Sequence, residues 1–389
     1  MSVQARAAGL PPARDGLSHC GMPFPCALWR CGHAPCARAK TPRQAVASLV
    51  SAAFAAVSFA SAIIAVAIIA SAPTRLHAQT AVSAHGRDGR APARASQRSR
   101  PTTRIDTRLQ AQLAALVKGF RGDVGIYVRH LRSGRVAALR ADELFPTASL
   151  IKLPILLGTF DAIERGQLTF DTLLTFRDSL VYSRDDLVGN LRDSTRVPLA
   201  KLSMLMLTLS DNTASLWLQG LVGGARINDW LHAQGFDSTR VNSRVAGREA
   251  ARTQWGWGQT TPREMAGLLA LIREGRAVSQ GASDAMYRQL TRSYWNGEAL
   301  SQLPPWVQAA SKQGMVDKSR SEVVLVNGPS GDYVFAIVTK NQQDAGWTND
   351  NEGYVLIRAL SALLWKTFEP THPYTPPPSA KRYLPPEEP

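Results

Sequence analysis

Cysteine is confined to the first 36 residues of this 389-residue chain, as Cys20, Cys26, Cys31 and Cys36. A disulfide framework is therefore excluded for everything downstream. The four thiols also lack the paired C-x-x-C spacing of a strong zinc signature, so no metal is expected there. Acidic residues are almost missing from the same region. Residues 1–104 hold 13 Lys+Arg against only Asp15 and Asp88, a net +11, which leaves 32 basic and 28 acidic residues, or +4, of the total +15. The basicity thus belongs to the leader and linker, and no nucleic-acid partner is expected. Aromatics are sparse at 7% and charged residues make up 19%, against 44% hydrophobic, the balance of a soluble enzyme with one or two cores.

What is present begins with an uncharged apolar run, Ala45 to Ala72, preceded by Arg38, Lys40 and Arg43 and followed by Leu76-His77-Ala78. Basic, apolar, small is the layout of an export signal. The run is also long enough to span a bilayer uncleaved. Residues 1–78 are accordingly expected to be a leader, either a cleaved signal peptide or an N-terminal membrane anchor through 45–72. The remainder is then expected to be periplasmic or secreted. Residues 79–104 are rich in Ala, Arg, Ser, Gly and Pro and read as a flexible linker. A proline-rich tail, 370–389, should form neither helix nor ladder. One folded unit, 105–369, lies between.

Inside it, helical spacing through Leu109, Leu113, Leu116 and Val117 gives way to strand alternation at Val124–Leu131. A hairpin turn at Arg132–Arg135 then leads into Val136–Leu139. A long apolar helix starts near Leu150 and ends by Gly166. Helical periods dominate from Asp171 to about Arg276, broken by Gly223-Gly224, Gly235 and Gly256. Strand character returns at Glu322–Val326 and Tyr333–Thr339, and a helix closes the unit over Asn351–Phe368. Strands from both ends must share one sheet, which predicts an α/β (α+β) fold: a helix-flanked antiparallel sheet with an inserted all-helical lobe. A cleft between sheet and lobe is where a small-molecule site is expected.

Three short motifs carry the chemistry. Ser149-Leu-Ile-Lys152 stands where the chain enters its apolar helix, with lysine one turn from serine on the same face. Burial lowers a lysine pKa, so the amine can take the serine proton. An N-cap serine and an unrelated surface lysine would give the same letters. Ser210-Asp211-Asn212 offers a second hydroxyl and an amide, although all three types are also favoured helix caps. Lys312-Gln313-Gly314, ahead of the late strands, offers a fixed charge and a glycine that admits close backbone approach. Arg320 adds a fork of donors suited to a carboxylate. Each motif alone also has an ordinary structural reading.

In this order and spacing the three resemble the Ser-x-x-Lys, Ser-Asp-Asn and Lys-Thr-Gly signature of class A β-lactamases and penicillin-binding proteins, over roughly Thr107 to Thr367. The resemblance implies acylation at Ser149, with Lys152 helping to deprotonate it and Ser210 relaying a proton to the leaving nitrogen. It implies substrate contacts from Asn212, Lys312, Gln313, Gly314 and Arg320, and an oxyanion hole from the N–H groups of Ser149 and Met315. Tyr182 is expected to wall the cleft. Two departures stand out. Gln313 replaces the usual threonine or serine. The glutamate expected before Thr260-Thr261-Pro262 is also missing: Val245 or Ala246 occupies its place, and Glu249 is the only acid in that loop. Trp255-Gly-Trp-Gly258, unlike the family, is expected to be packing in a glycine-bent loop. The expected function is hydrolysis of β-lactams through an acyl-serine, by a monomer without cofactor. The alternatives are a D,D-peptidase or esterase on a peptidoglycan-like substrate, or a β-lactam binder that is acylated without turnover.

Overall fold

The computed structural model describes residues 102–383. The expected signal or anchor and the linker up to residue 101 lie outside the described residues. A six-stranded sheet is built from β1 (Arg104–Ile105), β2 (Asp123–His130), β3 (Arg135–Leu139), β4 (Ala309–Val316), β5 (Ser319–Val326) and β6 (Tyr333–Lys340), in the order β1-β3-β2-β6-β5-β4. Early and late strands therefore meet at its centre, where β2 pairs antiparallel with β6 (Ile126 opposite Ile337). The sheet, expected to be antiparallel, is mixed at one edge: β1 runs parallel to β3.

Alternation divides the side chains between two cores. Val124, Ile126, Val128, Phe335 and Ile337 face α1 (Thr107–Leu116) and the closing α9 (Glu352–Phe368). Tyr127, Val323, Leu325, Val334, Ala336 and Val338 face the inserted lobe. That lobe comprises α2 (Lys152–Glu164), α3 (Leu199–Thr208), α4 (Asn212–Val222), α5 (Gly224–Ala233), α6 (Glu249–Trp255), α7 (Pro262–Arg273) and α8 (Gln280–Leu290). α7 is laid against the sheet and has a well-formed start. Thr261 accepts from the Glu264 N–H, and Pro262 fills a position whose N–H would have no helical partner.

The lobe is not all-helical. Leu173–Thr175 pairs with Arg196–Pro198, and Gly258–Thr260 pairs with both Phe145–Pro146 and Arg240–Val241. These ladders are too short for alternation to announce them. The second ties the segment after Trp257 to the chain just before Ser149, and the Thr147 N–H completes it by donating to the Gly258 carbonyl at 3.0 Å. Within the tail, the Trp365 indole donates to the His372 carbonyl at 2.7 Å, and Pro378–Tyr383 forms a 3-10 turn where no helix was expected. Pro378 opens that turn, where a missing N–H costs nothing.

Candidate active site

Ser149 lies in a 3-10 turn, Ala148–Ile151, and α2 proper begins only at Lys152. The serine is thus one turn outside the α-helix that it was expected to open. Ala148 before it holds a left-handed φ of 42°, a conformation that costs a non-glycine residue about 1–3 kcal/mol and that tends to occur at functional sites. α2 is apolar on every side and buried from Lys152 to Ala162, which is how a helix at the centre of a lobe reads. Lys152 is consequently 0% exposed. Its Nζ lies 2.9 Å from Ser149 Oγ, 2.8 Å from Ser210 Oγ and 2.7 Å from Asn212 Oδ1, and also contacts the Ser210 carbonyl.

The second motif forms the turn between α3 and α4. Asp211 caps α4 by accepting from the Ala214 N–H at 2.7 Å, and accepts from the Val188 N–H at 2.9 Å. Burial holds its carboxyl above the ordinary range. Asp186 supports the turn from outside, accepting from the N–H groups of Asn212 and Thr213 and from the Thr213 hydroxyl. Ser210 itself takes a left-handed φ of 62°. So held, its hydroxyl faces a second amine: Lys312 Nζ, 1% exposed, lies 3.1 Å from Ser210 Oγ and donates to the Gln313 carbonyl at 2.9 Å. A hydroxyl has two lone pairs and one proton, so Ser210 can accept from both lysines and keep its proton for a third group.

The third motif sits within the edge strand β4, not ahead of the strands. Gly314 crosses the nucleophile turn so closely that a Cβ there would lie 2.6 Å from the Thr147 carbonyl oxygen and 3.0 Å from the Leu150 nitrogen. Backbone atoms cannot swing aside, so Gly314→Ala must push β4 away from Ser149. A displacement of about 1 Å costs a well-aligned reaction on the order of 10²-fold. Gly314→Ala is expected to slow acylation by about that factor, measured as covalent labelling rate with a thermal melt in parallel; unchanged labelling would show that β4 does not set the geometry.

Two expected substrate contacts are elsewhere. Arg320 is 0% exposed and turned to the α9 face. Its guanidinium donates to the carbonyls of Val316, Ser319 and Gly346 and lies over the rings of Trp347 and Tyr354, at 4.3 and 5.0 Å. Strand parity is the reason: Arg320 shares a face with Val324 and Val326, not with Val323. Gln313 is buried as well, and its amide contacts Ser293 Oγ and the Trp295 carbonyl rather than the cleft. That contact still bears on the site, because the Trp295 indole donates to the carbonyl of Leu209, next to Ser210.

The cleft at Ser149 has a volume of about 620 Å³. Ser149, Ser210 and Asn212 line it together with Met315, Ser319, Tyr182, Trp255 and Trp257. Tyr182 meets Trp257 edge to face at 4.9 Å. The two tryptophans, expected to be packing alone, are thus wall residues. No local signal marks them: the pairing of Gln259 and Thr260 with Pro146 and Phe145 brings them beside the nucleophile. No carboxylate is among the described residues that line this cleft. Glu249 is exposed in the first turn of α6 and accepts from its neighbour, the Gly247 N–H, at 3.1 Å.

A model described as the beta-lactamase enzyme family matches residues 108–368. The chain belongs to this family. Beta-lactamase FAR-1 of Nocardia farcinica is 33% identical over 141 residues, which cover 34% of this chain and 42% of that relative. The match therefore spans less than half of the curated relative. A structure of PBP-A is similar at a TM-score of 0.63 and 28% identity, over 70% of this chain and 100% of PBP-A. A PBP-A mutant solved as an acyl-enzyme complex with penicillin G matches at 0.62 and 28%, over 69% of this chain and 99% of that one. The β-lactamase of Sphaerobacter thermophilus shares the fold, at a TM-score of 0.61 and 23% identity, over 69% of this chain and 100% of that one. Class A β-lactamase folds and PBP-A thus frame the family to which the helix-flanked sheet and its inserted lobe belong.

Proposed function

We propose that the protein is a serine hydrolase acting on β-lactams through an acyl-enzyme on Ser149. The observation that carries this reading is the fully buried Lys152 Nζ, 2.9 Å from a serine hydroxyl that lines a cleft. A neutral amine there has two hydrogens to give, to Asn212 Oδ1 and to Ser210, and one lone pair to receive the Ser149 proton. Ser149 Oγ then attacks the lactam carbonyl, whose oxygen is met by the N–H groups of Ser149 and Met315. The C–N bond breaks, and the ring nitrogen takes the Ser210 proton, which Lys152 replaces.

Release of the acyl group needs water and a base to deprotonate it. The lining of the cleft supplies no carboxylate, and Glu249 is bonded to its own loop on the surface. This favours an enzyme that is acylated quickly and deacylated slowly, between a turnover β-lactamase and an acylated binder. A chromogenic cephalosporin should therefore give a burst of about one equivalent followed by a slow steady state. Intact mass should show one acyl adduct, absent in Ser149→Ala, and Glu249→Gln should leave both phases nearly unchanged. Fast turnover without a burst, with a stable adduct appearing only in Glu249→Gln, would make Glu249 the deacylating base. Undiminished labelling of folded Ser149→Ala would refute the nucleophile.

A further inference from the structure

In the mechanism proposed above Ser210 gives its proton to the leaving nitrogen, and the turn that carries Ser210 is held from outside the cleft. The carbonyls of Thr208 and Leu209 stand at the end of α3, where a helix leaves its last oxygens without intrahelical partners. Both are met by the irregular segment that follows α8. The Tyr294 N–H donates to the Thr208 carbonyl at 3.0 Å, and the Trp295 indole to the Leu209 carbonyl at 2.9 Å. Trp295 is held in turn from the sheet. Its own carbonyl accepts from Ser293 Oγ at 3.0 Å and from the amide of Gln313, buried in β4 beside Lys312. A bridge therefore runs from the strand that bears Lys312, through Gln313 and Trp295, to the turn that bears Ser210. Neither Gln313 nor Trp295 is among the described residues that line the cleft.

The indole bond lands on the peptide that enters Ser210. A peptide unit is planar, so a fixed Leu209 carbonyl also fixes the Ser210 nitrogen. On the other side Asp211 is locked as the cap of α4. Between these anchors Ser210 takes its left-handed φ of 62°, a conformation that serine leaves unless its surroundings impose it. That backbone puts Ser210 Oγ 2.8 Å from Lys152 Nζ and 3.1 Å from Lys312 Nζ. Resting on the acyl-enzyme reading above, we infer that Trp295 is a positioning residue for Ser210, and that Gln313 serves to hold Trp295. A threonine or serine at 313 would end at the γ position, short of the ε nitrogen that makes this contact. The departure of Gln313 from the expected motif thus has a use: it anchors the proton donor without touching the substrate.

The test uses two β-lactams whose leaving nitrogens differ in basicity, with acylation of Ser149 followed by intact mass. Benzylpenicillin releases a basic amine that needs a proton, whereas a monocyclic β-lactam N-sulfonate releases a weakly basic sulfamate that needs one far less. Trp295→Phe keeps a ring and removes the N–H. A Ser210 displaced by about 1 Å should slow the penicillin by about 10- to 100-fold. The N-sulfonate should slow by less than about 3-fold, because little proton donation is lost with it. Gln313→Met, which keeps the length and removes the amide, should move the ratio of the two rate constants in the same direction from the sheet end. If Trp295→Phe does not fold, Gln313→Met decides alone. In a Ser210→Ala background Trp295→Phe should slow the penicillin no further, since residues that act through one group are not additive. A merely structural role would slow both β-lactams alike and would add to Ser210→Ala. A ratio equal to that of the wild type in both single variants, or additivity with Ser210→Ala, overturns the positioning role and leaves the nucleophile in place. Absence of any adduct from either β-lactam on the wild-type protein overturns the function itself, and the bridge's role with it.

Discussion

Lys152→Ala is expected to slow acylation of Ser149 by about 10²–10⁴-fold, the usual reach of a positioned general base. Four polar groups share Lys152 Nζ: Ser149 Oγ, Ser210 Oγ, the Ser210 carbonyl and Asn212 Oδ1. Truncation removes the proton acceptor from the first and the common partner from all four. Buried groups left without partners cost about 1–3 kcal/mol each unless water replaces the amine, so a lower melting temperature should accompany the lost rate. Chemical rescue separates the two effects. A small primary amine that enters the vacated space should restore part of the acylation rate in proportion to its unprotonated fraction, whereas a merely structural role would give no such pH dependence. A loss of less than about tenfold would mean that another base serves Ser149.

Glu322→Gln is expected to stabilise the protein, and more so as pH rises. Glu322 is fully buried in β5, where Ser311 Oγ donates to one carboxyl oxygen at 2.5 Å and the Ala299 N–H to the other at 3.0 Å. Burial, reinforced by the neighbouring Glu298, pushes its carboxyl up to about 8, while Lys312 and the two hydrogen bonds pull the other way. The folded state therefore keeps a proton that the unfolded chain has released. Between the ordinary carboxyl value of 4.5 and about 8 the folded state binds more protons, so stability falls as pH rises and reaches its low plateau above about 8. At roughly 1.4 kcal/mol per unit the full effect is on the order of several kcal/mol. Glutamine reproduces the neutral acid: its amide oxygen accepts from Ala299 and its NH₂ donates to Ser311. The gain in Tm for Glu322→Gln should thus be small at pH 5 and on the order of 5–10 °C at pH 9. A gain that is equal at both pH values would show that Glu322 does not hold its proton in the fold.

The parts of the site that depend on local spacing were legible in the chain. Ser149 and Lys152 stand three apart, and one helical turn joins them whether that turn is 3-10 or α. Asp211 caps a helix because aspartate does so wherever a helix follows. What depends on sheet register was not legible. Nothing near Arg320 in the sequence says that it shares a face with Val324, and the pairing of β5 with β4 and β6 decides it. The strand Ala309–Val316 passes unnoticed because it contains a single β-branched residue, Val316, and owes its conformation to β5 beside it. The left-handed backbone at Ala148 has no local signal at all, since alanine does not favour it. Trp255 and Trp257 reach the cleft through a ladder to Phe145–Pro146, more than a hundred residues earlier, which no window of periodicity spans.

The pairing of β2 with β6 has a consequence for how the molecule comes into being. His130 lies opposite Tyr333, and Asp123 opposite Lys340, so the central ladder joins segments about two hundred residues apart. A nascent chain that has emerged only as far as α8 holds Ser149, Lys152 and Ser210, and β3 to pair with β2, but lacks β6, the strand on the other side of β2. The open edge of β2 then has no β6 to pair with, and its outer face has no α9 to cover it. Contacts of such long range make folding slow, because the loop must close before the pairing repays it. The lobe that carries the nucleophile is thus complete in sequence well before the sheet beneath it can close, and the cleft arises only when the last third of the domain arrives.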